Sequence, residues 1–181
     1  MFRIFAFLAA LFLTAISVSS TCLASSADNI RFQLQPSGRS GQVQLSLFSG
    51  ENGHHSMSSS FRANELEGLD LASLQSPGNT PVRFAIVREA GRVDCTGAGG
   101  ALIATGTCTF AADAGFNQYL ASHGIARPDR EESYGLAMVG ATRALVDSLA
   151  AANYPMPDID ELTSLAAVDV TPAYINDLSR R

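Results

Sequence analysis

The 181-residue chain contains no lysine: all 12 of its basic residues are arginine, and 17 acidic residues bring the formal charge to −5. An acidic balance argues against nucleic acid as a partner, because phosphate binding needs a basic surface. The same balance disfavours anionic membrane surfaces. Without lysine there is no S-x-x-K pair, and a phosphate-binding loop loses the residue that usually completes it. The sequence also has no H-E-x-x-H and no G-x-S-x-G. Zinc-peptidase and nucleophile-elbow chemistry therefore have no template here, and neither a catalytic residue nor a metal or cofactor is expected.

Cysteine is scarce too, at Cys22, Cys95 and Cys108. The first of these falls in the opening stretch MFRIFAFLAALFLTAISVSS, which has one arginine, no acid and a nearly unbroken apolar run from Ile4 to Ile16. That run is shorter than the roughly 20 residues a bilayer span requires. A cationic start, an apolar middle and small residues at Ser25 and Ala27 predict a secretory signal over 1–27, with a mature start near Asp28. An uncleaved anchor fits the length less well, and the residues before Cys22 lack the pattern of a lipoprotein signal. Removing Arg3 with the leader takes the formal charge from −5 to −6. No later segment is long and apolar enough to span a membrane, so the expected location is exported, in the periplasm or outside the cell.

Export bears on the remaining pair, Cys95 and Cys108, separated by twelve residues of which four are glycine. An even count in an oxidising compartment predicts a disulfide. Zinc would need about four ligands and no second close pair is at hand; a redox pair is more usually C-x-x-C. The glycines of TGAGG invite comparison with a phosphate cradle, but the residues after them read as strand rather than as the helix N-terminus such a loop needs.

The chain divides by period, and the expected fold class is α+β. Over 28–112 the pattern is that of a β domain forming an antiparallel meander. RFQLQ and QVQLSLF alternate with period two, putting Val43, Leu45 and Leu47 on one face, and PSGRSG between them is a turn. SMSSSFRA reads as an exposed strand, and ELEGLDLASL as an irregular connection or a short helix. In PVRFAIVRE, Val82, Phe84, Ile86 and Arg88 share a face; Ala90-Gly91 turns the chain back as RVDC. Gly97, Gly99 and Gly100 predict a further bend, and Gly106 a bulge in ALIATGTCTF.

Over 113–181 the pattern becomes helical and repeats at a shift of 29 residues, superposing Leu120 on Leu149, Pro128 on Pro157, Asp129 on Asp158, Glu132 on Glu161, and Leu136 on Leu165. Asp129-x-x-Glu132 and Asp158-x-x-Glu161 have the form of capping boxes. Asp113, Thr142 and Thr171 are N-caps of the alternate helices, the last followed by Pro172. Gly124 and Asn153 sit at matching helix stops. The expectation is about five short helices, with Phe116, Leu120, Leu136, Leu145, Leu149, Leu165, Tyr174 and Leu178 forming the repeat core. The first helices should dock on the sheet while the last project.

The final unit, DIDELTSLAAVDVTPAYINDL, resembles the tandem short-helix repeats of the periplasmic tails of BlaR-type zinc-peptidase membrane sensors and of small exported bacterial proteins. The shared pattern is a leucine-spaced helix, a turn ending in Val-Thr-Pro, and a helix with an aromatic and a leucine. It covers Asp158 to Leu178 well and Asp113 to Asn153 more loosely. The resemblance implies an accessory or sensing role; without H-E-x-x-H, the peptidase activity does not carry over.

Two polar clusters invite a chemical reading. His54 and His55 are adjacent, and on a strand they would face opposite sides, so they would converge on one metal only in a loop. His123 falls at a predicted helix end, where histidine is favoured electrostatically. Asp158, Asp160 and Glu161 form a carboxylate group, two members of which the capping box already employs. The function expected is a non-enzymatic protein-binding or sensing module whose partner is another envelope protein. The alternative is a periplasmic hydrolase with a site near His54 and His55.

Overall fold

The computed structural model describes residues 30–50 and 55–180. The expected leader, its cleavage site near Asp28, and His54 lie outside the described residues. The fold is α+β: a six-stranded antiparallel sheet accompanied, among the described residues, by six α-helices.

The strands are β1 (Ile30–Pro36), β2 (Gln42–Ser49), β3 (His55–Arg62), β4 (Thr80–Arg88), β5 (Gly91–Gly100) and β6 (Ile103–Ala112). Their order across the sheet is β3-β2-β1-β6-β5-β4. Instead of one continuous meander there are two three-stranded ones, joined where β1 pairs with β6. The period-two alternation of the sequence becomes a buried inner face bearing Ile30, Phe32, Leu34, Val43, Leu45, Leu47, Val82, Phe84 and Ile86. The opposite face is lined with Ser, Thr, Gln and Arg.

The sheet is strongly curled, and chain length shows why. Glu67 exchanges both backbone hydrogen bonds with Ala85 of β4, at 2.8 Å each, only five residues after β3 ends. Six strands lying flat at about 4.8 Å spacing would hold the β3 and β4 edges about 24 Å apart. Five residues reach at most about 18 Å. The chain leaving β3 therefore reaches the outer edge of β4, at Ala85, only because the sheet coils round. Arg88 at the end of β4 accordingly comes to lie over the Phe61 ring of β3, 6.0 Å from its centroid.

Two glycines permit the curl. Gly97 and Gly106 are paired across β5 and β6, and a Cβ on Gly106 would sit 2.2 Å from the Thr96 carbonyl oxygen and 2.7 Å from the Phe32 ring. The space lets Phe32 meet Phe84 edge to face, with ring centroids 5.1 Å apart, although two strands separate them. Gly106 is thus in register and not a bulge: β5 and β6 pair without a break from Gly91–Ala112 to Gly100–Ile103. Nor do Gly97, Gly99 and Gly100 bend the chain. The reversal falls at Ala101 and Leu102, which take positive φ of 51° and 69°. Those angles suit a two-residue hairpin but are costly for residues with a Cβ. What holds them is tertiary, because Ala101 and Leu102 donate their N–H groups to the carbonyls of Ser76 and Leu74. These carbonyls end α1 (Leu71–Gln75), where intrahelical partners run out. Leu74, fully buried, closes that end of the curled sheet.

Between β4 and β5 the turn is Glu89-Ala90, one residue earlier than the sequence suggests, since Arg88 pairs with Gly91. Cys95 and Cys108 are directly opposite on β5 and β6, buried and disulfide-bonded.

Five more helices complete the chain: α2 (Ala114–Ser122), α3 (Arg130–Val139), α4 (Arg143–Ala151), α5 (Ile159–Ala167) and α6 (Pro172–Leu178). They cover the end of the sheet opposite α1. α3 packs on β5 and β6, with Tyr134 edge-on to Phe110 at 5.4 Å and the Arg130 guanidinium donating to the Phe110 carbonyl at 2.7 Å. Alternate helices then stack, α2 with α4, α4 with α6, and α3 with α5. One apolar cluster runs from the sheet through Phe116, Leu136, Leu149 and Leu162 to Ile175.

Candidate functional site

The helix ends show how local sequence positions this region. Asp113 accepts from the Phe116 N–H at 2.5 Å, Thr142 from Leu145 at 3.2 Å, and Thr171 from Tyr174 at 3.2 Å. Asp129 with Glu132, and Asp158 with Glu161, form reciprocal capping boxes. Each such cap satisfies N–H groups that the helix itself leaves without partners, worth about 1 kcal/mol. The stops are left-handed residues: Gly124, Gly140, Asn153 and Asp169, with φ between 53° and 78°. Short, well-delimited helices result.

Where α2 meets α4, a polar cluster forms that the sequence pattern did not reveal. Arg143 lies over the rings of Phe116 and Tyr119, 5.3 and 5.5 Å from their centroids, and pairs with Glu89 at 3.0 Å and Asp113 at 3.6 Å. The Tyr119 hydroxyl donates to the Asp147 carboxylate, and His123 Nε2 lies 3.6 Å from the same oxygen. Desolvation first, and then the Asp147 hydrogen bond, hold the Tyr119 phenol protonated well above its ordinary range. A phenol kept neutral beside a carboxylate is a poor base or nucleophile, so the cluster acts as a clamp between α2, α4 and the β4–β5 turn. The contacts that join its elements span 24 to 54 residues of the chain. No short motif could have disclosed it.

His55 is exposed at the start of β3, beside a cleft lined by Leu47, Ser49, Ser56, Met57 and Tyr134. Among the described residues no carboxylate lines that cleft, and burial pushes the Tyr134 phenol up to about 12. Among the described residues, no group of three or more His, Cys, Asp or Glu side chains is placed to hold a metal. Asp158 and Glu161 are engaged in their capping box.

The remaining feature is the free end of the helix stack. Of the residues expected to form the repeat core, Phe116, Leu120, Leu136, Leu145 and Leu149 are buried, and Leu165 is half-buried. Tyr174 and Leu178, expected in the core, are instead 56% and 52% exposed. The reason is positional: α6 packs on α4, and among the described residues no helix packs on its other side. One turn apart on the same helix, Tyr174 and Leu178 line a groove of about 380 Å³ with Leu149, Tyr154, Leu165 and Val170. Tyr154 and Leu165 continue into a second depression of about 400 Å³ bordered by Val168, Asp160 and Glu161. Val168 is 73% and Tyr154 55% exposed. Tyr154 escaped the sequence reading because it follows the left-handed helix stop at Asn153 and looks like a turn residue.

Together these features define an α+β protein with a disulfide-linked, curled sheet and a helix stack ending in an apolar surface. The disulfide is compatible with an exported protein, and no helix among the described residues is long and apolar enough to cross a membrane. Comparison with protein-family models, with curated proteins and with solved structures found no match.

Proposed function

We propose that the chain is an exported, non-enzymatic protein-binding module in which short helices, repeating every 29 residues, present an interaction surface and the disulfide-linked sheet serves as scaffold. The observation carrying this reading is the apolar surface of Tyr154, Leu165, Val168, Tyr174 and Leu178. Monomeric soluble proteins rarely leave contiguous apolar patches without a use, and aromatic residues at their centre are typical anchors. The groove suits the apolar face of an amphipathic helix from another envelope protein, which would lie on α6 as α6 lies on α4. The repeat reading is supported by the caps at Asp113, Thr142 and Thr171, those at Asp129 and Asp158, and the stacking of alternate helices. An accessory or sensing role, as the resemblance to the tails of BlaR-type sensors implies, accords with this reading.

The test is photocrosslinking in the native envelope, with probes at Tyr174 and Leu178 and an unrelated exported protein as control. One defined protein should be captured, and Tyr154→Ser should reduce its capture while leaving the melting midpoint unchanged. Capture no greater than the control's would end the proposal.

A further inference from the structure

The two edges of the sheet are treated differently. The outer edge of β4 is paired by Glu67, whereas among the described residues no backbone hydrogen bond reaches β3 from the side away from β2. An open edge is a template for another strand, and proteins usually blunt it with charge, proline or a bulge. Between His55 and Arg62, β3 has none of these: its sequence is SMSSSF, paired without interruption to β2.

The direction of its open backbone groups follows from the hairpin before it. Ser37 N–H donates to Gln42 O at 3.0 Å, so Gln42 turns its carbonyl toward β1. Alternation then turns Val43, Leu45 and Leu47 toward β3, where Phe61, Ser59 and Met57 are their partners. Ser56, Ser58 and Ser60 are left directing N–H and C=O outward. Two contacts agree with this parity: Arg62 N–H, also directed away from β2, goes to the Glu65 carboxylate at 2.6 Å, and Ala63 N–H returns to Gly41 O at 2.9 Å.

We propose that β3 pairs antiparallel with β3 of a second copy, about a two-fold axis at Ser58. In that register Ser58 faces Ser58 of the second copy and Ser56 faces Ser60, so every outward N–H and C=O of the three serines finds a partner. Self-complementarity is what a two-fold interface requires. It also matches charge, since no ionised side chain within the paired segment meets its like. On the polar face, the Ser58 hydroxyl already bonds Gln44 at 2.7 Å and Ser46 at 2.9 Å, and Ser60 donates to Gln44 at 2.8 Å. Pairing would extend this ladder across the axis. On the other face, Met57, 37% exposed, would be covered by the second copy. This surface is separate from the α6 groove, so either reading stands if the other fails.

Sedimentation equilibrium of the purified chain tests it. The wild type should dimerise, and Ser58→Lys or Ser58→Glu, each placing like charges face to face at the axis, should raise the dissociation constant about tenfold or more. An equimolar mixture of the two variants should restore dimers. Ser58→Pro, which removes an N–H not used by β2, should likewise weaken pairing while the melting midpoint holds. Tyr174→Ser should leave the dimer intact. A wild type monomeric up to about 1 mM would overturn the proposal and leave the edge to an extended segment of a different protein. So would a dimer that Ser58→Lys and Ser58→Pro leave unchanged.

Discussion

The sheet and the helix stack solve the same problem, covering an apolar face, to different degrees. The sheet coils until the chain leaving β3 pairs with the β4 edge at Ala85, α1 closes one end and the helices cover the other. Among the described residues the stack is covered only where it meets the sheet. Three residues measure the difference, each donating its backbone N–H to the cap at the start of its helix: Phe116 is 0%, Leu145 3% and Tyr174 56% exposed. Each is the third residue after its N-cap, so what the rest of the chain covers, not the cap, separates the buried residues from the exposed one. Stability should therefore be concentrated near the sheet and binding capacity at the far end.

The largest effect should come from the glycine pair. Gly106→Val forces a side chain into the Thr96 carbonyl and the Phe32 ring, and neither backbone nor core can yield cheaply. A loss of about 3 kcal/mol or more is expected in urea denaturation. A melting midpoint unchanged from wild type would show that the curl does not depend on this approach.

Next is a direct contrast between two aromatic residues, each the third after its N-cap. Phe116→Ala should cost about 3–5 kcal/mol, as for a fully buried aromatic, whereas Tyr174→Ala should fall within about 0.5 kcal/mol of wild type. Similar losses at both would show that α6 is as integral to the core as α2.

Replacing Cys95 and Cys108 together with alanine should cost about 2–4 kcal/mol, because the disulfide restricts a short loop in the unfolded chain. Reductant should lower the wild-type midpoint toward that of the double variant and leave the variant unaffected.

The smallest effects belong to the caps. Asp129→Ala and Asp158→Ala should each cost about 1 kcal/mol. If folding is cooperative throughout, both should lower the same transition. Should α5 and α6 unfold separately, Asp158→Ala will change only an early, partial loss of helix signal, and Asp129→Ala the main one.

Much of the fold was legible because its signals are local. Period two placed Val43, Leu45 and Leu47 on one face, and Asp129-x-x-Glu132 named a capping box, since side chain and N–H lie within one turn. Glycine was harder to read. Gly97 and Gly106 suggested a bend and a bulge, but they are needed for close approach in regular strands, and a glycine in sequence does not disclose which of these it serves. The clamp of Arg143, Tyr119, Glu89 and Asp147 joins three elements by contacts that no spacing encodes. Tyr174 follows its cap as Phe116 and Leu145 follow theirs, and nothing local separates the exposed residue from the buried ones.

The amino-acid sequence by itself determined which face of the period-two strands turns inward and which residues cap the five later helices, because each depends on a few neighbouring residues. Only the tertiary structure decided how far the sheet curls, that Ala101 and Leu102 take the hairpin turn, which edge stays open, and which of several similar helix positions is buried. Those outcomes depend on what distant parts of the chain cover, and coverage is a property of the assembled surface.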